Sequence, residues 1–173
     1  MVKSKIIIIS LICLILVSCF NQEEGKNITG NWYFIDYDNE DTIYNEVYID
    51  SEYFIYYLDM QGFMSKQIYE ISNDSISFYF RTKTENIKTN YKPKLQIINE
   101  EKFLLEDKEQ TIEFKRLKNM VFSMDSIKNE EDNYLFEYHF YKRRNKYFFS
   151  LGYNVDTTLN EIIFEEETIE PVK

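Results

Sequence analysis

The sequence predicts an all-β fold: an antiparallel up-and-down meander closing into a barrel, with a C-terminal β-hairpin extension. Three observations carry this reading. Short stretches of alternating apolar and polar residues recur along the chain, as strands with one buried face require. Clusters of Asn, Asp, Gly, Glu and Lys separate them at hairpin spacing. The composition adds fifteen Tyr and fourteen Phe and lacks Ala, which favours strands and removes the best helix former. Ile, Asn and Lys are also abundant, and their AT-rich codons make the aromatic content a poor marker of a ligand pocket by itself.

In chain order, the first element is a leader. Lys3 and Lys5 precede residues 6–17, which are apolar except for Ser10, the charge-then-hydrophobe layout of an export signal. The run falls short of the roughly 20 apolar residues that span a bilayer. Eight strands follow, over 31–38, 44–50, 53–59, 64–72, 75–81, 93–98, 102–106 and 111–117. Ser51-Glu52, Asn73-Asp74 and Asn99-Glu100-Glu101 fit hairpin turns between them, and residues 107–110 a slightly longer one. Consecutive strands with links this short read as a closed meander.

Beyond the eight strands, residues 134–141 and 147–153 read as two more, joined by the polar turn 142–146, with a short strand near 161–165. Residues 120–129 suit a short helix or a crossing loop. The tail could extend the barrel, cover its open end or pack outside it, and its sequence does not choose among these.

Leu16-Val17-Ser18-Cys19 resembles the lipobox of bacterial lipoproteins. The resemblance implies cleavage before Cys19, acylation of that cysteine with palmitate-like chains, and passage through the lipoprotein processing and sorting machinery. Several acyl chains, each buried methylene contributing about 0.8 kcal/mol, would make the membrane attachment effectively permanent. Cys13 would leave with the leader, so Cys19 would be the sole remaining cysteine, without a disulfide, a thiolate metal site or a catalytic thiol. Phe20-Asn21-Gln22-Glu23-Glu24 resembles the acidic signal that sends some lipoproteins of the Bacteroidota to the outer face of the outer membrane; a solvated tether is the alternative reading.

The domain plan is therefore a cleaved leader over 1–18, an acidic tether over 19–27, a barrel over 28–117 and an extension of the same domain over 118–173. Without Lys3 and Lys5, eighteen basic residues face thirty acidic ones, a net charge of −12. A field of that sign opposes nucleic acid and anionic membrane surfaces.

Ile28-Thr29-Gly30-Asn31-Trp32-Tyr33 resembles the G-x-W opening of lipocalin-like barrels, and Phe114-Lys115-Arg116-Leu117 resembles their last strand, whose arginine covers that tryptophan. The resemblance spans about residues 28–117 and lacks the T-D-Y-like turn of true lipocalins. It implies that Trp32 and Arg116 form a structural plug at the closed barrel end. Strand parity agrees, because Trp32 facing inward takes Phe34 with it, and Arg116 takes Phe114 and Ile112.

The same parity places Phe34, Phe54, Tyr56, Leu58, Tyr69, Ile71, Phe78, Phe80, Leu95, Ile97, Phe103 and Leu105 inside. Of these, Phe34, Phe54, Tyr56, Leu58, Tyr69, Phe78 and Phe80 are the candidate ligand-binding residues of a lumen. A lumen filled by its own side chains is the open alternative.

Other candidates read as ordinary surface. His139, the only histidine, falls on the polar face of its strand. Asp36, Asp38, Glu40 and Asp41 crowd the first loop, but Asp41 and Val47 stand where a calcium loop needs Gly and Glu. The 142–146 cations and the Glu165-Glu166-Glu167 run read as solvated. No G-x-S-x-G, H-E-x-x-H, P-loop or dinucleotide motif occurs.

The expected function is thus a membrane-anchored, non-catalytic lipoprotein of the outer membrane, needing no metal or cofactor, that binds a small apolar or amphiphilic ligand in its lumen. The alternative is a solid barrel that engages a protein or glycan partner through its outer face.

Overall fold

A computed structural model describes residues 27–38 and 41–155 of the chain. The eight expected strands form as β1 (Gly30–Asp38), β2 (Asp41–Ile49), β3 (Tyr53–Leu58), β5 (Gln67–Ser72), β6 (Ser75–Arg81), β8 (Lys94–Asn99), β9 (Lys102–Glu106) and β10 (Thr111–Arg116). Two short strands add to them, β4 (Gly62–Phe63) and β7 (Asn86–Lys88). The hydrogen-bonded order runs β2-β1-β10-β9-β8-β6-β5-β3, and β3 pairs back onto β2, so the antiparallel meander closes into a barrel.

Local chemistry sets the turns. Asp50 Oδ1 accepts from the backbone N–H of Glu52 and Tyr53 at 2.7 and 2.6 Å, which bends β2 into β3. Asn73 takes φ +54° in the two-residue β5–β6 turn, a conformation asparagine tolerates. Asp107 Oδ1 likewise receives the N–H groups of Glu109 and Gln110 between β9 and β10.

The seam that closes the barrel sets Trp32 opposite Arg116 and Phe34 opposite Phe114. Trp32 is buried, its indole N–H donating to the Ile28 carbonyl at 2.8 Å. The Arg116 guanidinium lies 4.1 Å above the Trp32 ring and donates to the carbonyls of Thr29 and Glu100 at 3.1 and 2.6 Å. Stacking of this kind, with the guanidinium partly exposed, contributes on the order of 1 kcal/mol. Glycine is required at position 30, where φ is +126° and a Cβ would stand 2.4 Å from Arg116 Nη1.

The barrel interior is a continuous apolar core containing Trp32, Phe34, Val47, Ile49, Phe54, Ile76, Phe78, Leu95, Phe103, Leu105 and Phe114. Its rings form an unbroken chain: Trp32 to Phe103 at 4.8 Å, Phe103 to Phe114 at 4.5 Å, Phe114 to Phe34 at 5.0 Å, Phe34 to Tyr56 at 6.2 Å, Tyr56 to Phe54 at 5.9 Å and Phe54 to Phe78 at 5.1 Å.

Several details of the strand reading need correction. Residues 64–66 are not part of a strand: Met60 and Gly62 adopt positive φ, the chain folds back as β4 onto β3, and β5 begins only at Gln67. Ile97 does not reach the core: it keeps the register of Leu95, opposite Phe103, but is 36% exposed where the strand leaves its regular pairing at a bulge before Asn99. Phe80 shares the parity of Phe78 but is 47% exposed, since β6 at that point pairs with Ile87 of the short β7.

The larger correction concerns the C-terminal β-hairpin extension. After a single 3-10 turn (Met124–Ser126), residues 130–150 form one helix, α1 (Glu130–Ser150), not strands 134–141 and 147–153 joined by a turn at 142–146. The Asn129 side chain accepts from the Asp132 N–H at 2.9 Å, with three acidic residues in the first turn, and the helix begins there. It ends at Gly152, with φ +85°, where Tyr153 N–H reaches the Phe148 carbonyl and Gly152 N–H the Phe149 carbonyl.

The apparent strand alternation over 136–140 arises from Tyr and Phe, whose strand propensity yields to tertiary burial. At helical spacing Phe136, Phe140 and Phe148 fall on one face, and that face packs on the outer surface of β1, β2 and β3 against Tyr33, Tyr44 and Tyr57. Each of the three buried phenylalanines stabilises the packing by about 1.5–3 kcal/mol. The tail therefore lies outside the barrel as far as Val155; the strand expected near 161–165, and Glu165 to Glu167, lie outside the described residues. Among the described residues, no helix is long and apolar enough to cross a membrane.

Candidate functional site

Residues of odd number on β1 and β10 face away from the core, and Tyr33 and Ile35 among them join the cluster into which α1 packs. Tyr33 stacks on Tyr44 at 5.4 Å and meets the Tyr147 ring of α1 at 5.8 Å. Between this aromatic wall and β10 opens a cleft of about 340 Å³, lined by Tyr33, Tyr37, Tyr147, Asp36, Glu113 and Lys115 among others. Tyr37 is 73% exposed at its edge. A second cleft of about 390 Å³ shares Tyr33 and Lys115 and continues toward the start of β1, where Glu101, Lys102, Arg116 and Lys118 line it. Together they make an outer groove, aromatic at one end and charged at the other.

The charged end is held by the β9–β10 register, which sets Lys102 opposite Lys115. Glu113, on the same face, accepts from Lys102 at 3.1 Å and pairs with Lys115 at 2.9 Å. These lysines, Lys115 first, hold the Glu113 carboxyl below the usual carboxylate range. Lys118 is ion-paired with Glu101.

The helix that walls the groove is clamped by two arginines. Arg143 forks the buried Glu46 carboxylate, Nε to Oε1 and Nη2 to Oε2 both at 2.8 Å, and Tyr44 donates its hydroxyl to the same carboxylate at 2.9 Å. Burial pushes Glu46 above its ordinary pKa against the pull of Arg143 and Tyr44. Arg144 pairs with Asp59 at 2.5 Å. Arg143 and Arg144 are thus not solvated turn residues, as the sequence suggested for 142–146, but the bolts between helix and barrel. Nothing in the local sequence names their partners, which lie 97 and 85 residues away.

The expected lumen residues are divided. Phe34, Phe54 and Phe78 are buried core, Tyr56, Leu58 and Tyr69 pack against it partly buried, and Phe80 is outside it. The core also takes Val47, Ile49 and Ile76, which alternation within β2 and β6 could have supplied. Tyr69 donates to the Asp50 carbonyl at 2.7 Å.

His139 lies on α1 and not on a strand; it is half-buried, and burial together with Arg143 and Lys142 lowers its pKa. Cys19, residues 39–40 and the Asp38 side chain lie outside the described part of the chain; Asp36 Oδ1 accepts its neighbour's N–H, that of Tyr37, at 2.9 Å. Comparison with known protein families, with curated proteins and with solved structures finds no match for this chain.

Proposed function

We propose that the chain is a membrane-anchored, non-catalytic lipoprotein of the outer membrane, held by acylated Cys19, whose solid lipocalin-like barrel engages a protein or glycan partner through its outer face. The observation that carries this reading is the ring chain from Trp32 to Phe78. It occupies the barrel interior with the protein's own side chains, whereas both described clefts lie on the outer groove. Aromatic rings beside hydrogen-bonding and charged groups suit a recognition surface.

The test is a photo-crosslinking residue at Tyr37 in intact cells, with Lys83 as an exposed control position. One reproducible product at Tyr37, weakened by Tyr147→Ala and absent at Lys83, is expected. Failure to crosslink anything from the groove would end the proposal.

A second reading, a small apolar or amphiphilic ligand inside the barrel, is favoured by Tyr56, Leu58, Tyr69, Ile71 and Ile112, which pack on the core without being fully buried.

A further inference from the structure

The charged end of the groove adjoins the point where the tether meets the barrel. Arg116 Nη1 donates to the Thr29 carbonyl at 3.1 Å, which puts residues 28–29 beside the cleft lined by Glu101, Lys102, Lys115, Arg116 and Lys118. Ile28 lies nine residues after Cys19, and nine extended residues reach at most about 30 Å. A chain anchored at Cys19 therefore holds this cleft within about 30 Å of the bilayer surface. The β8–β9 hairpin beside it exposes Ile97 and Ile98, 36% and 43% open to solvent, just before Asn99, which pairs with Lys102 on the following strand.

The chemistry selects among headgroups. A mature chain of net charge −12 is repelled by an anionic surface. The cleft itself is mixed: Lys102, Lys115, Arg116 and Lys118 line it with the carboxylate of Glu101, and Glu113 in the adjoining cleft pairs with Lys102 and Lys115, which complements a ligand carrying both signs.

We propose that this cleft seats the zwitterionic headgroup of a phospholipid, its phosphate against Lys102, Lys115 and Lys118 and its ammonium against Glu101, with Ile97 and Ile98 meeting the acyl boundary. Lysine ammonium groups bind phosphate as point charges, and an apolar pair beside them is the layout of an interfacial contact. The headgroup would fix the barrel's tether end to the membrane and leave the aromatic end of the groove facing outward. The inference rests on the lipoprotein reading.

The experiment uses the full mature chain in vesicles of phosphatidylethanolamine and phosphatidylcholine and, for comparison, in dodecyl maltoside micelles. Hydrogen exchange of residues 96–103 is expected to slow by at least about fivefold in the vesicles, and K102E/K118E to return it to the micelle rate. Equal rates in vesicles and micelles would overturn the proposal. So would inorganic phosphate producing the same slowing in micelles, since the cleft would then hold free phosphate. Intact mass separates the two readings. If the chain carries no acyl group, the tether reading fails, and the unmodified chain is pelleted with the same vesicles: sedimentation with slowed hairpin exchange supports the cleft, and no sedimentation refutes it.

Discussion

Arg143 on α1 forks both carboxylate oxygens of Glu46 on β2, joining the C-terminal helix to the barrel wall through a pair buried on the barrel side. Breaking such a pair strands a charge. Arg143→Ala should lower unfolding stability by about 3–5 kcal/mol, measured by urea denaturation. Replacing both partners with Arg143→Met and Glu46→Leu should recover part of that loss, because the desolvation penalty disappears with the charges while the Tyr44 hydroxyl loses its acceptor.

The Trp32 to Arg116 stack reports on the seam where β1 meets β10. Gly30→Ala forces a Cβ into the guanidinium at an unfavourable φ, and should destabilise by about 1–3 kcal/mol. Arg116→Ala should shift the emission of Trp32, the only tryptophan, to longer wavelength as water reaches the ring. Unchanged emission would mean that the arginine does not shield it.

The ring chain makes the interior intolerant of truncation. Phe103→Ala, which deletes the link between Trp32 and Phe114, should cost about 3–5 kcal/mol in a denaturation titration.

Glu113 gives a pH dependence of known sign. Its folded pKa is depressed by Lys115 and Lys102, so its contribution is present above the ordinary carboxylate pKa and is lost as pH falls through the lower, folded value. The Tm gap between the wild type and Glu113→Gln should be at most about 3 °C at neutral pH and close on acidification. A gap that widens toward acid would contradict the assignment.

Eight strands were legible because period two and short turns are local signals, whereas the pairing of Trp32 with Arg116 came from the resemblance to lipocalin-like barrels and parity only agreed with it. Parity assigns a face but does not say whether a strand stays in the barrel wall, which is why Phe80 and Ile97 misled. The helix was misread because a run of Tyr and Phe imitates alternation over 136–140, although Asn129 with Asp132, and Gly152, marked its ends. The groove was not legible at all. Its walls come from β1, β10 and α1, and the placement of α1 depends on Glu46 and Asp59, far away in sequence.

The most direct test of the solid-barrel account is native mass spectrometry of the purified chain together with analysis of its organic extract. The account predicts a chain without a stoichiometric non-covalent passenger. One retained molecule per chain, lost in Leu58→Trp, would contradict it and return the function to the barrel interior.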